Sequence, residues 1–116
     1  MKEVAMGLSA EEQRTYQVPW DQAFDKVTHA LGTVPKMVVK NADRSTGRIQ
    51  VSKKMSLKSW GENVLVDVFE AGPGQTTVKA RSQLKAQLVD WGANKQNLRS
   101  VFEAVERALG APSVAQ

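Results

Sequence analysis

His29 is the only histidine in 116 residues, and a catalytic triad or metal site built on it would need partners that the sequence does not place beside it. The nearest acid, Asp25, stands four residues earlier, where it is an ordinary neighbour on one helix face. The helical period sets His29 off the apolar stripe of Trp20, Phe24, Val27 and Leu31, so it reads as a surface histidine without a role. No cysteine is present, which removes thiolate nucleophiles, disulfides and Cys-based zinc or iron–sulfur sites. No phosphate loop or Gly-x-Gly-x-x-Gly occurs either, and Gly72-Pro73-Gly74 has the makeup of a hairpin tip. The expectation is a chain that is not an enzyme, with no catalytic residue, no metal ligand and no cofactor.

Binding is the chemistry left to examine. Asp90, Gly92 and Asn94 precede an apolar helical stripe, where Asp90 or Asn94 would cap free amides and Gly92 would permit a positive-φ turn. The same amides, with Lys95, would also suit an anion. Trp20, Trp60 and Trp91 all fall at element boundaries, where large aromatics either close a core edge or rim a pocket for an apolar ligand. Seven bases between Lys36 and Lys58 stand against one acid, Asp43, giving that segment a net +6 within a chain of +4. Arg48, with Lys79 and Arg81 on a later strand, would carry this charge across a sheet, where Phe69 is the one aromatic placed to stack on a base. A solvated, charged β-edge is the plainer reading of the same run.

The elements that must position these residues follow from length, composition and period. The chain has the size of one domain and an ordinary globular composition. Charges interrupt every apolar stretch, so none could span a bilayer. The first eight residues lack the apolar core of a signal peptide. As written the sequence therefore predicts a cytoplasmic protein; a natural leader removed ahead of it would make the protein periplasmic or envelope-associated.

Residues 1–13 show no sustained period and are expected to be a flexible start, with a single domain over 14–110 and a tail over 111–116. Thr15-Tyr16-Gln17-Val18 alternates like a strand. Pro19 and Asp21 suit a helix start, the apolar stripe from Trp20 to Leu31 predicts a helix, and Gly32 predicts a left-handed stop. Met37–Val39 and Arg48–Ser52 then read as one hairpin, and Val64–Glu70 with Thr76–Ser82 as another. Residues 83–89 hold no single period and are left as strand or loop. A second helix carries Leu98, Val101, Phe102, Val105, Ala108 and Leu109 on one stripe, stopped by Gly110 and Pro112.

The order β-α-β-β-β-β-α with hairpin-length links predicts an α+β fold: an antiparallel sheet with both helices on one face, covering Ile49, Val51, Val64, Val66, Val68, Val78 and Ala80. The opposite face would show Arg48, Gln50, Leu65, Asp67, Phe69, Thr77, Lys79, Arg81 and Gln83. This pattern resembles the helix-grip, or TATA-binding-protein-like, arrangement over about residues 14–109. Thr46-Gly47-Arg48-Ile49-Gln50-Val51, Thr77-Val78-Lys79-Ala80-Arg81-Ser82 and Asp90-Trp91-Gly92-Ala93-Asn94 are more narrowly similar to an uncharacterised family of small bacterial domains. The arrangement is also similar to the repeats of the lipoprotein BamC. The resemblance brings no active site.

The function expected is a binding or interaction module that meets a protein or a small apolar ligand through its open sheet face or its sheet-helix crevice. Trp20, Trp60, Trp91, Phe69, Arg48, Lys79 and Arg81 are the candidate contacts. The alternative is a nucleic-acid-binding domain working through the basic 36–58 hairpin.

Overall fold

The computed structural model describes residues 9–54, 62–84 and 91–113. They form β1 (Ser9–Tyr16), α1 (Trp20–Gly32), β2 (Met37–Asp43), β3 (Arg48–Lys53), β4 (Glu62–Gly72), β5 (Gln75–Leu84) and α2 (Trp91–Leu109). The strands make one antiparallel sheet in the order β1-β5-β4-β3-β2. Three hairpin steps from β2 to β5 follow the chain, and only β1 joins out of sequence, at the far side of β5. β1 and β2 are therefore the two edges.

The inner face is the one the alternation predicts. Ile49, Val51, Val64, Val66, Val68, Val78 and Ala80 are all buried, in one core with Phe24, Val27 and Leu31 of α1 and Leu98, Val101, Phe102 and Val105 of α2. Each helix stripe thus ends against the face whose period is two, the arrangement that lets both amphipathic patterns bury at once.

Three local expectations are corrected. The first strand begins at Ser9 and ends at Tyr16, so Glu11, Glu12 and Gln13 belong to it and Gln17 and Val18 lie beyond it. The polar run hid this because its inner side is filled by charge: Glu12 and Arg14 pair with each other there rather than showing an apolar period. Gly32 does not make a left-handed stop. Thr33 closes α1 in a right-handed conformation, its amide and hydroxyl both donating to the Ala30 carbonyl, and the positive φ falls later, on Lys36 at 70°. Thr77, expected open, is buried on the outer face, where its hydroxyl meets that of Thr15 at 2.8 Å and Phe69 stands opposite it.

Gly110 does take the left-handed stop of α2, with φ of 94° and its amide donating to the Glu106 carbonyl at 2.9 Å. Beyond it the chain turns back, and the Ser113 amide donates to the Thr15 carbonyl at 2.7 Å while its hydroxyl donates to the same oxygen at 3.0 Å. β2 carries a register shift between Val39 and Asn41, so Lys40 sits at a bulge on an edge strand, the form in which natural edges resist pairing.

Candidate functional site

Between α2 and β1 lies a groove of about 590 Å³. α2 supplies Lys95, Leu98, Arg99, Phe102, Glu103 and Glu106 to it. Their spacing of three, one, three, one and three is that of a single helix face. Leu98 and Phe102 are buried and form the floor, while Ala10, Glu11, Glu12 and Arg14 of β1 form the opposite wall. Bases and acids meet across it.

One set of groove side chains is locked together. The Arg14 guanidinium donates to Glu106 Oε2 at 2.7 Å and to Glu12, and its Cζ lies 4.7 Å from the centre of the Phe102 ring. Burial alone would lower the Arg14 pKa, but hydrogen bonds and charge from Glu106 and Glu12 outweigh it and hold the pKa above the ordinary value. The fully buried Tyr16 hydroxyl donates to the same Glu106 oxygen at 3.1 Å. Burial, and then the Glu106 charge, push its pKa well above that of a free phenol. Lys95, Arg99 and Glu103 are the exposed charges of the wall.

A second polar set ties α2 to the sheet. Lys53 Nζ donates to Asn97 Oδ1 at 2.7 Å, and Asn97 Nδ2 donates to the buried Ser82 hydroxyl at 3.0 Å. Asn97 is fully buried. Sequence reading passed over it because it is polar, although it lies four residues before Val101 and one before Leu98, on the buried stripe.

The outer face of the sheet is mixed in charge. Arg48 Nε donates to Asp67 Oδ1 at 2.9 Å and its Nη2 to Oδ2 at 3.4 Å, and Lys79 lies 3.2 Å from Glu11. Arg81 is exposed, with Leu65 and Glu11 opposite it on the flanking strands. Phe69 is 43% exposed on this face. Shallow hollows of about 280 and 430 Å³ open between β2, β3 and β4, lined by Lys40, Gln50 and Leu65 in one and Asn41, Arg48 and Asp67 in the other. Arg48, Lys79, Arg81 and Phe69 thus share one face, though two of the cations are neutralised there.

Trp20 stands apart from them. Its Nε1 donates to the Val68 carbonyl at 2.8 Å, its ring stacks on Phe24 at 5.3 Å, and Arg44 lies over both rings while pairing with Asp25. This packs the tip of the β2–β3 hairpin against α1. Trp91 opens α2, and Trp60 and Asp90 lie outside the described residues.

No family model matches the sequence, and no curated protein does. Solved structures do. The di-domain ARO/CYC StfQ from the steffimycin biosynthetic pathway is similar at a TM-score of 0.65 and 12% identity, over 87% of this chain and 45% of that one. A START superfamily protein from Mycobacterium smegmatis is similar at 0.59 and 8%, over 87% and 97%. An HSP90 activator from Plasmodium falciparum is similar at 0.62 and 11%, over 86% and 94%. The chain spans less than half the length of StfQ. At these identities the likeness is one of fold, and the fold is the α+β helix-grip of START-like proteins. Proteins that share it thus range from a di-domain ARO/CYC to an HSP90 activator.

Proposed function

We propose that the chain is a non-enzymatic binding module that holds an extended segment of a partner protein in the groove between β1 and α2. The observation that carries this is the makeup of the groove: exposed charges of both signs, Lys95, Arg99 and Glu103 facing Glu11, above the buried Leu98 and Phe102. A small apolar ligand would cover the exposed charges of Lys95, Arg99 and Glu103 without pairing them, which is costly, whereas a peptide with its own charges satisfies them. The sheet face with Phe69 and Arg81 is the competing surface for the same class of partner. The nucleic-acid alternative is weakened because Arg48 and Lys79 are already neutralised by Asp67 and Glu11. A closer kinship with the small bacterial domains and the BamC repeats rests on the motifs around Gly47, Ala80 and Trp91.

The test is to select peptides from a displayed random library on the whole chain and measure one of them against variants. Reversing a groove charge, Arg99→Glu, should weaken binding at least about tenfold, or about 1.4 kcal/mol, while Phe69→Ala leaves it unchanged. The opposite pattern moves the site to the sheet face. Tight uptake of fatty acids in place of peptides would defeat the proposal.

A further inference from the structure

The free edge of β1 faces away from the sheet, and the hydrogen bonding shows which of its residues face out. Thr15 and Thr77 are opposite one another with their hydroxyls 2.8 Å apart, the close approach of a non-hydrogen-bonded pair. The Thr15 carbonyl is accordingly taken by Ser113 and not by β5. Because the pattern alternates along an antiparallel ladder, the amides and carbonyls of Gln13 and Glu11 point to the same open side.

The sequence of this edge is complementary to itself in one register. Two copies of β1 paired antiparallel about Gln13 would set Glu11 against Thr15 as hydrogen-bonding partners, and would set each Glu12 directly against the partner's Arg14. Pairing centred one residue either way sets Glu12 against Glu12 or Arg14 against Arg14, and pairing about Glu11 sets Glu11 against itself. Like charges directly opposite destabilise a pair, and opposite charges favour it.

We propose that the β1 edge is a self-association surface for a second copy of this chain, aligned about Gln13 and held closed by the C-terminal tail. The tail and the second copy compete for the Thr15 carbonyl, since the Ser113 amide occupies the oxygen that the partner's Glu11 amide would take. Glu12 and Arg14 belong to both the groove wall and this edge, but Gln13 and Ser113 do not line the groove, so variants at those two positions test this proposal independently of the peptide-binding one.

The experiment is sedimentation of the full chain and its variants over a range of concentrations. Ser113→Pro removes both the amide and the hydroxyl that guard Thr15, and should tighten self-association at least about tenfold. Adding Gln13→Pro deletes the amide at the centre of the pairing and should return the protein to the behaviour of the parent. If Ser113→Pro is folded and associates no more than the parent, or if Gln13→Pro leaves its association intact, the proposal is overturned. Should Ser113→Pro fail to fold, the parent chain carries the test. At roughly millimolar concentration it should self-associate, and Glu12→Lys, which faces the partner's Arg14 with a like charge, should weaken this at least about tenfold. No association in the parent, or none lost in the variant, overturns it equally.

Discussion

Gly47 sits where a side chain meets both backbone strain and a close neighbour. Its φ is 77°, and a Cβ placed there would lie 2.3 Å from the Val68 carbonyl oxygen, a backbone atom already receiving the Trp20 indole. The Gly47 carbonyl in turn accepts from the Val68 amide at 2.8 Å. Gly47→Ala should therefore cost at least about 1–3 kcal/mol in a urea melt; a variant that melts with the parent would mean the turn tolerates a side chain. The residue was legible as a turn glycine, but its approach to β4 was not, because that contact is made across the sheet. Tyr16 offers a second test at this scale. It is the only tyrosine, so tyrosinate absorbance reports it alone. A phenol whose folded pKa is raised contributes stability that is fully present below the ordinary value of 10.0 and is lost as pH climbs from there toward the folded value. The parent should ionise above the range of a free phenol and destabilise as pH rises past 10.0, and Tyr16→Phe should remove that part of the loss. Ionisation at the ordinary pKa would place the hydroxyl in water and dissolve its bond to Glu106.

Among the elements, the two helices were the most legible, because a stripe of spacing three and four over several turns has few competing explanations. α2 covers β1 and β5 and packs against α1, and Phe102 is buried beneath the Arg14 guanidinium. Phe102→Ala should cost about 3–5 kcal/mol, whereas exposed Lys95→Ala should change stability by less than about 0.5 kcal/mol. Paired urea melts compare them, and equal midpoints would mean that α2 does not seal the core. The edge strand β1 was the least legible element. Its inner positions hold Glu12 and Arg14, whose burial depends on Glu106 of a helix some ninety residues away, and no local window contains that partner. The groove shared this obscurity: Lys95, Arg99 and Glu103 were visible as a polar helix face, but only the pairing of β1 with β5 brings the opposite wall into place.

At the scale of the whole molecule, the basic run from Lys36 to Lys58 shows how linear charge misleads. On the described part of it, Arg44 turns to Asp25, Arg48 to Asp67 and Lys53 to Asn97, so acids and amides from three other elements divide the run among themselves. The fold class was legible because the hairpin links from β2 to β5 are short, leaving few topologies; the placement of β1 was not, because one strand can join either edge. That placement has a consequence for how the chain comes into being. Ser9 faces Gln83 and Tyr16 faces Thr76, so the strand made first on the ribosome cannot pair until the strand made fifth has emerged. At roughly 5–20 residues per second this is a wait of several seconds. Throughout it β1 has no strand of its own chain to pair with, and the very charges that hid it from recognition, Glu11, Glu12 and Arg14, restrict its pairing with other chains to the one register about Gln13 in which opposite charges meet.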